Sequence, residues 1–198
     1  MKSILITGGS GFIGSHFIHY FLTHFPGYHL INLDKLTYAH CNDHLNSIKE
    51  HTQYTFIEGD ICDQTLINSL FDQYQFHGVF HFAAESHVDN SITGPEIFID
   101  TNIKGTYNLI HAAKNCWMDE PFTCKKGFEN ARFHHVSTDE VYGSLGPEGA
   151  FSETTAYAPN SPYSASKASS DFIVRSYHHT FGVNMTISNC SNNYGPYQ

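Results

Sequence analysis

The stretch Thr7-Gly8-Gly9-Ser10-Gly11-Phe12-Ile13-Gly14 constrains this chain more than any other. Gly8, Gly11 and Gly14 recur every third residue. Before them stands an apolar run, Ser3-Ile4-Leu5-Ile6-Thr7. After them, Phe17, Ile18, Phe21, Leu22 and Phe25 fall at helical spacing. A strand turning into a helix through such a triplet has a physical use for each glycine. One allows a tight turn, one lets backbone approach a pyrophosphate, and one lets helix and strand pack closely. The helix start then offers unpaired amides to phosphate. Asp34 ends the second apolar strand, 20 residues beyond Gly14. A carboxylate there binds ribose hydroxyls and repels a 2′-phosphate. The turn therefore reads as a dinucleotide site with NAD favoured, and Lys35 beside Asp34 leaves NADP as the alternative.

Strand and helix signals alternate along the rest of the chain. Strands are expected at Tyr28–Leu33, Tyr54–Glu58, Gly78–Phe82, Arg132–Ser137 and Val183–Asn189. Helices are expected at Gly14–His24, Thr65–Tyr74, from Pro95 to about Trp117, and at Ser164–Phe181. Continuous apolar strands such as Ile4-Leu5-Ile6 suit a sheet covered on both faces. The fold class is α/β: a Rossmann-type doubly wound parallel sheet with helices on both faces. The longest expected loop runs from Gly143 to Pro162, and long ordered loops tend to be functional.

Composition excludes several classes. The net charge is -9 with only 10 Lys plus Arg, which argues against a nucleic-acid partner. No apolar run reaches membrane-spanning length. The start MKSILITGG reads as a first strand and not as a signal peptide. The 5 cysteines, Cys41, Cys62, Cys116, Cys124 and Cys190, are widely spaced and form no C-x-x-C, which fits reduced thiols in a cytoplasmic protein. The 15 histidines include no H-E-x-x-H, and no metal site is expected.

Tyr163-Ser164-Ala165-Ser166-Lys167 places a phenol and an ammonium four residues apart on one helix face. A nearby ammonium, with a positive nicotinamide ring, favours phenolate. The tyrosine can then act as a general base on an alcohol. Seen alone, the pattern is also that of a solvated helix face. Ser137-Thr138-Asp139-Glu140 ends a strand, and ligands of open α/β sheets bind outside those ends. Two carboxyls there can divide acid and base roles. The same residue types also make caps and turns. Asp60-Ile61 after the third strand and Phe82-Ala83-Ala84 after the fourth suit contact with a cofactor.

With these stretches in view, the chain resembles extended short-chain dehydrogenases/reductases, and within them the dTDP-glucose 4,6-dehydratase branch. TGGSGFIGS, DKLTYA, GDICD, HFAAESHVDNSITGP, TNIKGTYNL, FHHVSTDEVYG, SETTAYAPNSPYSASKASSD and NCSNNYGPY carry the resemblance and span nearly the whole chain. It implies an NAD-dependent lyase that converts a nucleotide-sugar, dTDP-glucose, to its 4-keto-6-deoxy form. Tyr163 would take the 4-hydroxyl proton, with Lys167 lowering its pKa and holding the nicotinamide ribose. Thr138 would bind the 4-oxygen, Glu140 would remove the C5 proton, and Asp139 would protonate the departing C6 hydroxyl. Gly8, Gly11, Phe12, Ile13, Gly14, Asp34, Lys35, Leu36, Thr37, Asp60, Ile61, Phe82, Ala83, Ala84, Glu85, Ser86, Thr101, Tyr163, Lys167 and Asn193 would meet the cofactor. Ser86, His87, Thr138 and Asn192 would meet the substrate. Asn90 stands where the family usually has Arg, at a position that looks peripheral.

The resemblance also implies a homodimer, built through the helices after Pro95 and after Tyr163. Family members carry a C-terminal substrate domain beyond the motif that ends this chain. Residues 1–198 are thus expected to form one NAD-binding domain that bears the catalytic residues but lacks that second domain, with low turnover alone. The alternatives are another nucleotide-sugar enzyme such as a 4-epimerase, which needs no C5 elimination, or a module that holds NAD without catalysis.

Overall fold

The computed structural model describes residues 1–40 and 43–198. Cys41 lies outside the described residues; Cys62, Cys116, Cys124 and Cys190 are free thiols. Six parallel strands form the central sheet: β1 (Lys2–Thr7), β2 (Tyr28–Asp34), β3 (Tyr54–Glu58), β4 (Gly78–His81), β7 (Arg132–Thr138) and β8 (Met185–Cys190). Their spatial order is β3-β2-β1-β4-β7-β8. The order reverses direction between β1 and β4, which opens a crevice at the carboxyl ends of those strands. This is the Rossmann-type α/β fold that the strand–helix alternation predicts.

The pleat explains why β1 must be apolar throughout. Ile4 and Ile6 point to one face, where they pack with Ile18, Phe21 and Leu22 of α1 (Phe12–His24). Leu5 points to the other, into a cluster with Val79, Phe133 and Trp117. That cluster lies under α2 (Gln64–Tyr74), α5 (Thr106–Trp117) and α6 (Pro162–Phe181). Each fully buried side chain of this size contributes about 1.5–3 kcal/mol. Trp117 is fully buried, and its indole N–H donates to the Phe76 carbonyl at 2.6 Å.

The single long helix expected between Pro95 and Trp117 is three pieces. They are α4 (Glu96–Phe98), a π-helical stretch (Ile99–Gly105) and α5. The cause is local. Asn102 is buried at the widened turn, accepts from the Glu85 amide at 2.8 Å, and donates to the Glu85 carbonyl and Ser166 Oγ. Thr106 Oγ1 donates back to the Asn102 carbonyl. Widened turns of this kind favour functional sites. Two further elements were not expected: α3 (Val88–Thr93), and a hairpin of β5 (Met118–Glu120) with β6 (Thr123–Cys124). α1 begins two residues earlier than expected, at Phe12, and α6 begins at Pro162.

Candidate active site

A cleft of ≈ 280 Å³ opens at the β1/β4 crevice. Gly8 adopts φ +71°, and a Cβ there would meet the Ala83 backbone nitrogen at 2.5 Å. A Cβ on Gly14 would strike the backbone of Gly8 and Gly9. Gly11 differs. Its φ is −79°, and a Cβ would meet only the Gly8 carbonyl at 3.5 Å. The packing of the protein does not demand glycine at Gly11, and the space in front of the helix start is open. α1 begins there without a side-chain cap and without an acid in its first turn. Its free amides make it a ready site for phosphate.

Most residues expected at the cofactor line this cleft. They are Gly8, Gly11, Phe12, Ile13, Gly14, Asp34, Lys35, Thr37, Asp60, Ile61, Phe82, Ala83, Ala84, Glu85, Ser86 and Thr101. Leu33, Ala39, His40, Gly59 and Val136 line it too and were not foreseen. Gly59 could have been found from its place beside Asp60, directly after β3; the others carry no chemical signal. Leu36 is not among the lining residues. It sits at φ +55°, and its amide donates to Asp34 Oδ1 at 2.9 Å. The Ser10 amide donates to Asp34 Oδ2 at 2.9 Å. Asp34 therefore fixes the Gly-rich turn as well as facing the cleft, and each oxygen keeps a lone pair for a further donor.

Lys35 is bound to Asp60 at 2.7 Å. Hydrogen bonding to Asp60 raises the lysine pKa. Burial pushes Asp60 upward, but Lys35 and the Cys62 amide outweigh it and hold the carboxyl below its ordinary value.

The second group of residues lies where β7 ends. Thr138 caps a short 3₁₀ turn, Asp139–Tyr142, with its side chain accepting from the Glu140 amide at 3.2 Å. The cap reading of this stretch thus holds, and it also fixes the two carboxyls outside the strand end. Glu140 has a raised pKa, from burial first and then from Asp139 beside it. Tyr163 and Lys167 are both buried on α6, so the solvated-face alternative fails. α6 packs against β7 and the 3₁₀ turn that follows it, which brings Tyr163 into the locality of Thr138, Asp139 and Glu140. Burial and Glu140 push Tyr163 up to about 12. That is opposite to the expected lowering by Lys167. The ammonium donates instead to the Val136 carbonyl at 2.8 Å, and burial pulls its own pKa down to about 8. Val136 lines the cleft, so Lys167 stands behind the cleft wall.

Three expected contacts are not assembled. Asn192 and Asn193 lie in the exposed segment after β8, and Asn193 donates to the Ser191 carbonyl. His87 is exposed at the start of α3, with its ring 5.6 Å from that of Tyr38. Among the described residues, no group of three or more His, Cys, Asp or Glu side chains could hold a metal ion. No helix among them is long and apolar enough to cross a membrane.

The sheet order, the uncapped Gly-rich helix start and the Tyr163–Lys167 face beside the β7 turn define a Rossmann-type protein of the short-chain dehydrogenase/reductase kind. Within that class the match is narrower. The GDP-mannose 4,6 dehydratase family model fits residues 5–198, and the chain belongs to that family. It is 51% identical, over all of its length, to a dTDP-glucose 4,6-dehydratase of Xanthomonas campestris pv. campestris, of which it covers 55%. The crystal structure of a dTDP-glucose 4,6-dehydratase from Streptomyces venezuelae, with NAD bound, superposes with a TM-score of 0.88 at 42% identity; all of this chain and 58% of that one are covered. The UDP-glucose 4-epimerase of Thermotoga maritima is similar in fold, with a TM-score of 0.84, but only 28% identical; again all of this chain is covered, and 58% of that one. The chain spans somewhat more than half the length of the relatives it matches. The resemblance to the dTDP-glucose 4,6-dehydratase branch is borne out.

Proposed function

We propose that this chain carries the NAD site and the acid–base groups of a dTDP-glucose 4,6-dehydratase. The observation that carries the proposal is spatial. A nucleotide-sized cleft floored by the Gly-rich turn shares the β7 wall with Thr138, Asp139, Glu140, Tyr163 and Lys167. The cleft fits NAD: the uncapped α1 amides suit the pyrophosphate, and Asp34 suits the ribose hydroxyls. Lys35 is held by Asp60, so it is not free to receive a 2′-phosphate, which favours NAD over NADP. Held by the Gly-rich turn and Asp34, NAD would supply the hydride acceptor for oxidation at C4 and, once reduced, the hydride for C6.

The chain's own residues do the rest. Tyr163 accepts the 4-hydroxyl proton, and Thr138 hydrogen-bonds the 4-oxygen as it becomes a carbonyl. That carbonyl acidifies C5. Glu140 removes the C5 proton, and its raised pKa makes the carboxylate a stronger base. Asp139 gives a proton to the departing C6 hydroxyl, so water leaves. Glu140 then returns the proton to C5. The phenol of Tyr163 sits at about 12 in the chain alone. Tyr163 and Lys167 would face the nicotinamide end of a bound NAD, whose positive ring would favour the phenolate against this burial. Ser86 lines the cleft; resemblance assigns it, Asn192 and His87 to the sugar, and Asn193 to the cofactor. Ile97, Ile99, Tyr107 and Phe172 leave apolar surface exposed on the α4–α6 side, which supports a homodimer through these helices. The working compartment is the cytoplasm.

The test is incubation with NAD and dTDP-glucose, with mass spectrometry of the sugar and of retained cofactor. Tight NAD retention is expected from residues 1–198, and the 4-keto-6-deoxy product where the chain is supplied with the remaining length that its relatives carry. Glu140→Gln stops dehydration while reduction of NAD by C4 oxidation persists. A Glu140→Gln variant with normal product formation overturns the assignment, and a product epimerised at C4 points to the epimerase reading instead.

A further inference from the structure

Helix α6 carries ionisable side chains at four-residue intervals: Tyr163, Lys167 and Asp171. The proposed function uses the first two. Asp171 is fully buried. Its Oδ2 accepts from Ser137 Oγ at 2.9 Å, from the Tyr157 hydroxyl at 2.9 Å and from Asn189 Nδ2 at 3.3 Å. Its Oδ1 lies 3.2 Å from His135 Nε2. Ser137 and His135 belong to β7, Tyr157 to the loop before α6, and Asn189 to β8. One carboxyl group thus fastens the segments around Tyr163 to the helix that bears it.

Hydrogen bonds alone do not balance a buried carboxylate charge. His135 does not balance it either. Ser170 Oγ donates to the Lys167 carbonyl at 2.7 Å, so at its 3.1 Å contact with His135 Nε2 it accepts. His135 therefore carries its proton on Nε2, and Nδ1 has no partner. Burial drives its pKa down to about 4, so the ring is neutral near pH 7. The other titratable groups near the pair are Tyr163 on the same helix, His81 on β4, His134 on β7, Cys190 on β8, and Tyr142 and Tyr157 from the β7 turn and the loop. None of these supplies a cation at neutral pH. Lys167, one turn back on the same helix, does: its ammonium donates to the Val136 carbonyl, next along β7 to Ser137, whose hydroxyl donates to Asp171, and across that short span each charge favours the ionised form of the other.

We propose that Asp171 is a positioning residue for Lys167: its buried carboxylate is the counter-ion that keeps the Lys167 ammonium charged and aimed at the β7 wall of the cleft. The effect on cofactor and chemistry rests on the proposed function; the coupling of the two charges does not.

The test follows the Lys167 side chain by NMR in ¹³C-lysine-labelled chain, together with NAD affinity from about pH 6 to pH 9. Asp171→Asn keeps the shape and removes the charge. It is expected to lower the Lys167 midpoint by at least about one pH unit, since an opposite charge nearby favours the charged form. The fall of NAD affinity with rising pH then begins correspondingly lower. Asp171→Glu restores most of the midpoint. Tyr157→Phe, which removes a hydrogen bond but no charge, leaves it in place. An unmoved midpoint in folded Asp171→Asn overturns the proposal. So does a wild-type Lys167 that is neutral at pH 7, a measurement that stands even if the variant does not fold. A shifted midpoint in a chain that binds no NAD leaves the coupling intact and sinks the reading of the cleft.

Discussion

The two helices that carry the proposed site begin in opposite ways. α1 starts at Gly11 with no side-chain cap, no acid in its first turn and only backbone around it. α6 starts at Ser161 with a complete capping box: Ser161 Oγ accepts from the Ser164 amide, and Ser164 Oγ accepts from the Ser161 amide. Pro162 then sits where a missing N–H costs nothing. The difference reflects what each end must do. A helix start that receives an anion leaves its donors free, and stability must come from packing behind it. A helix that aims side chains gains from having its first turn locked. α1 offers its backbone; α6 offers Tyr163, Lys167 and Asp171.

Four experiments can break or sharpen that contrast. Gly14→Val drives a side chain into the Gly8 and Gly9 backbone, which has no room to give. It should destabilise the chain by more than about 3 kcal/mol in urea unfolding; near-normal stability would remove the steric reading of the turn. Acid comes next and acts on the α6 side. His135 has an ordinary value of 6.5 and a folded value of about 4. The unfolded state therefore binds its proton first, and stability is present above pH 6.5 and lost as pH falls toward 4. The loss amounts to about 3 kcal/mol. Fully buried His81 shifts in the same direction. Asp171, whose folded value is depressed, adds its loss below the ordinary carboxyl value of 3.8. Urea midpoints measured down this range should fall, and His135→Asn should flatten the slope; a slope unchanged by that variant would place the acid sensitivity elsewhere.

Gly11→Ala isolates the ligand from the fold. The backbone there is ordinary and open, so stability should hold while NAD affinity drops about tenfold, or about 1.4 kcal/mol. Equal loss of both would mean that the glycine serves packing. Ser161→Ala is the mirror case and the smallest effect. It should cost about 1 kcal/mol of stability with NAD affinity unchanged, read by thermal unfolding and calorimetry.

Local pattern made much of this molecule legible before any coordinates. The Gly-rich turn, Asp34 and the alternating strands depend on neighbours within a few tens of residues, where period and turn chemistry carry the information. The π-helical stretch was hidden because its cause is Asn102 meeting Glu85 and Ser166, 17 and 64 positions away. The Asp171 network was hidden for the same reason, with Ser137 34 positions distant. The short hairpin after Trp117 has too few residues to show a period. The Tyr163–Lys167 spacing put both residues on one face correctly, but spacing says nothing of solvation. Burial around the phenol set the direction of its pKa instead.

Trp117 has a practical consequence. It is the chain's 1 tryptophan, fully buried at the end of α5 with its indole N–H on the Phe76 carbonyl. Near-ultraviolet emission excited at the indole edge therefore comes from a single, dry, hydrogen-bonded site on the α2–α5–α6 side of the sheet. A red shift during denaturation reports when that half opens to water. Far-ultraviolet dichroism reports every helix, α1 included. Comparing the two transitions in one sample reveals whether the layers on opposite faces of the sheet melt together or in turn.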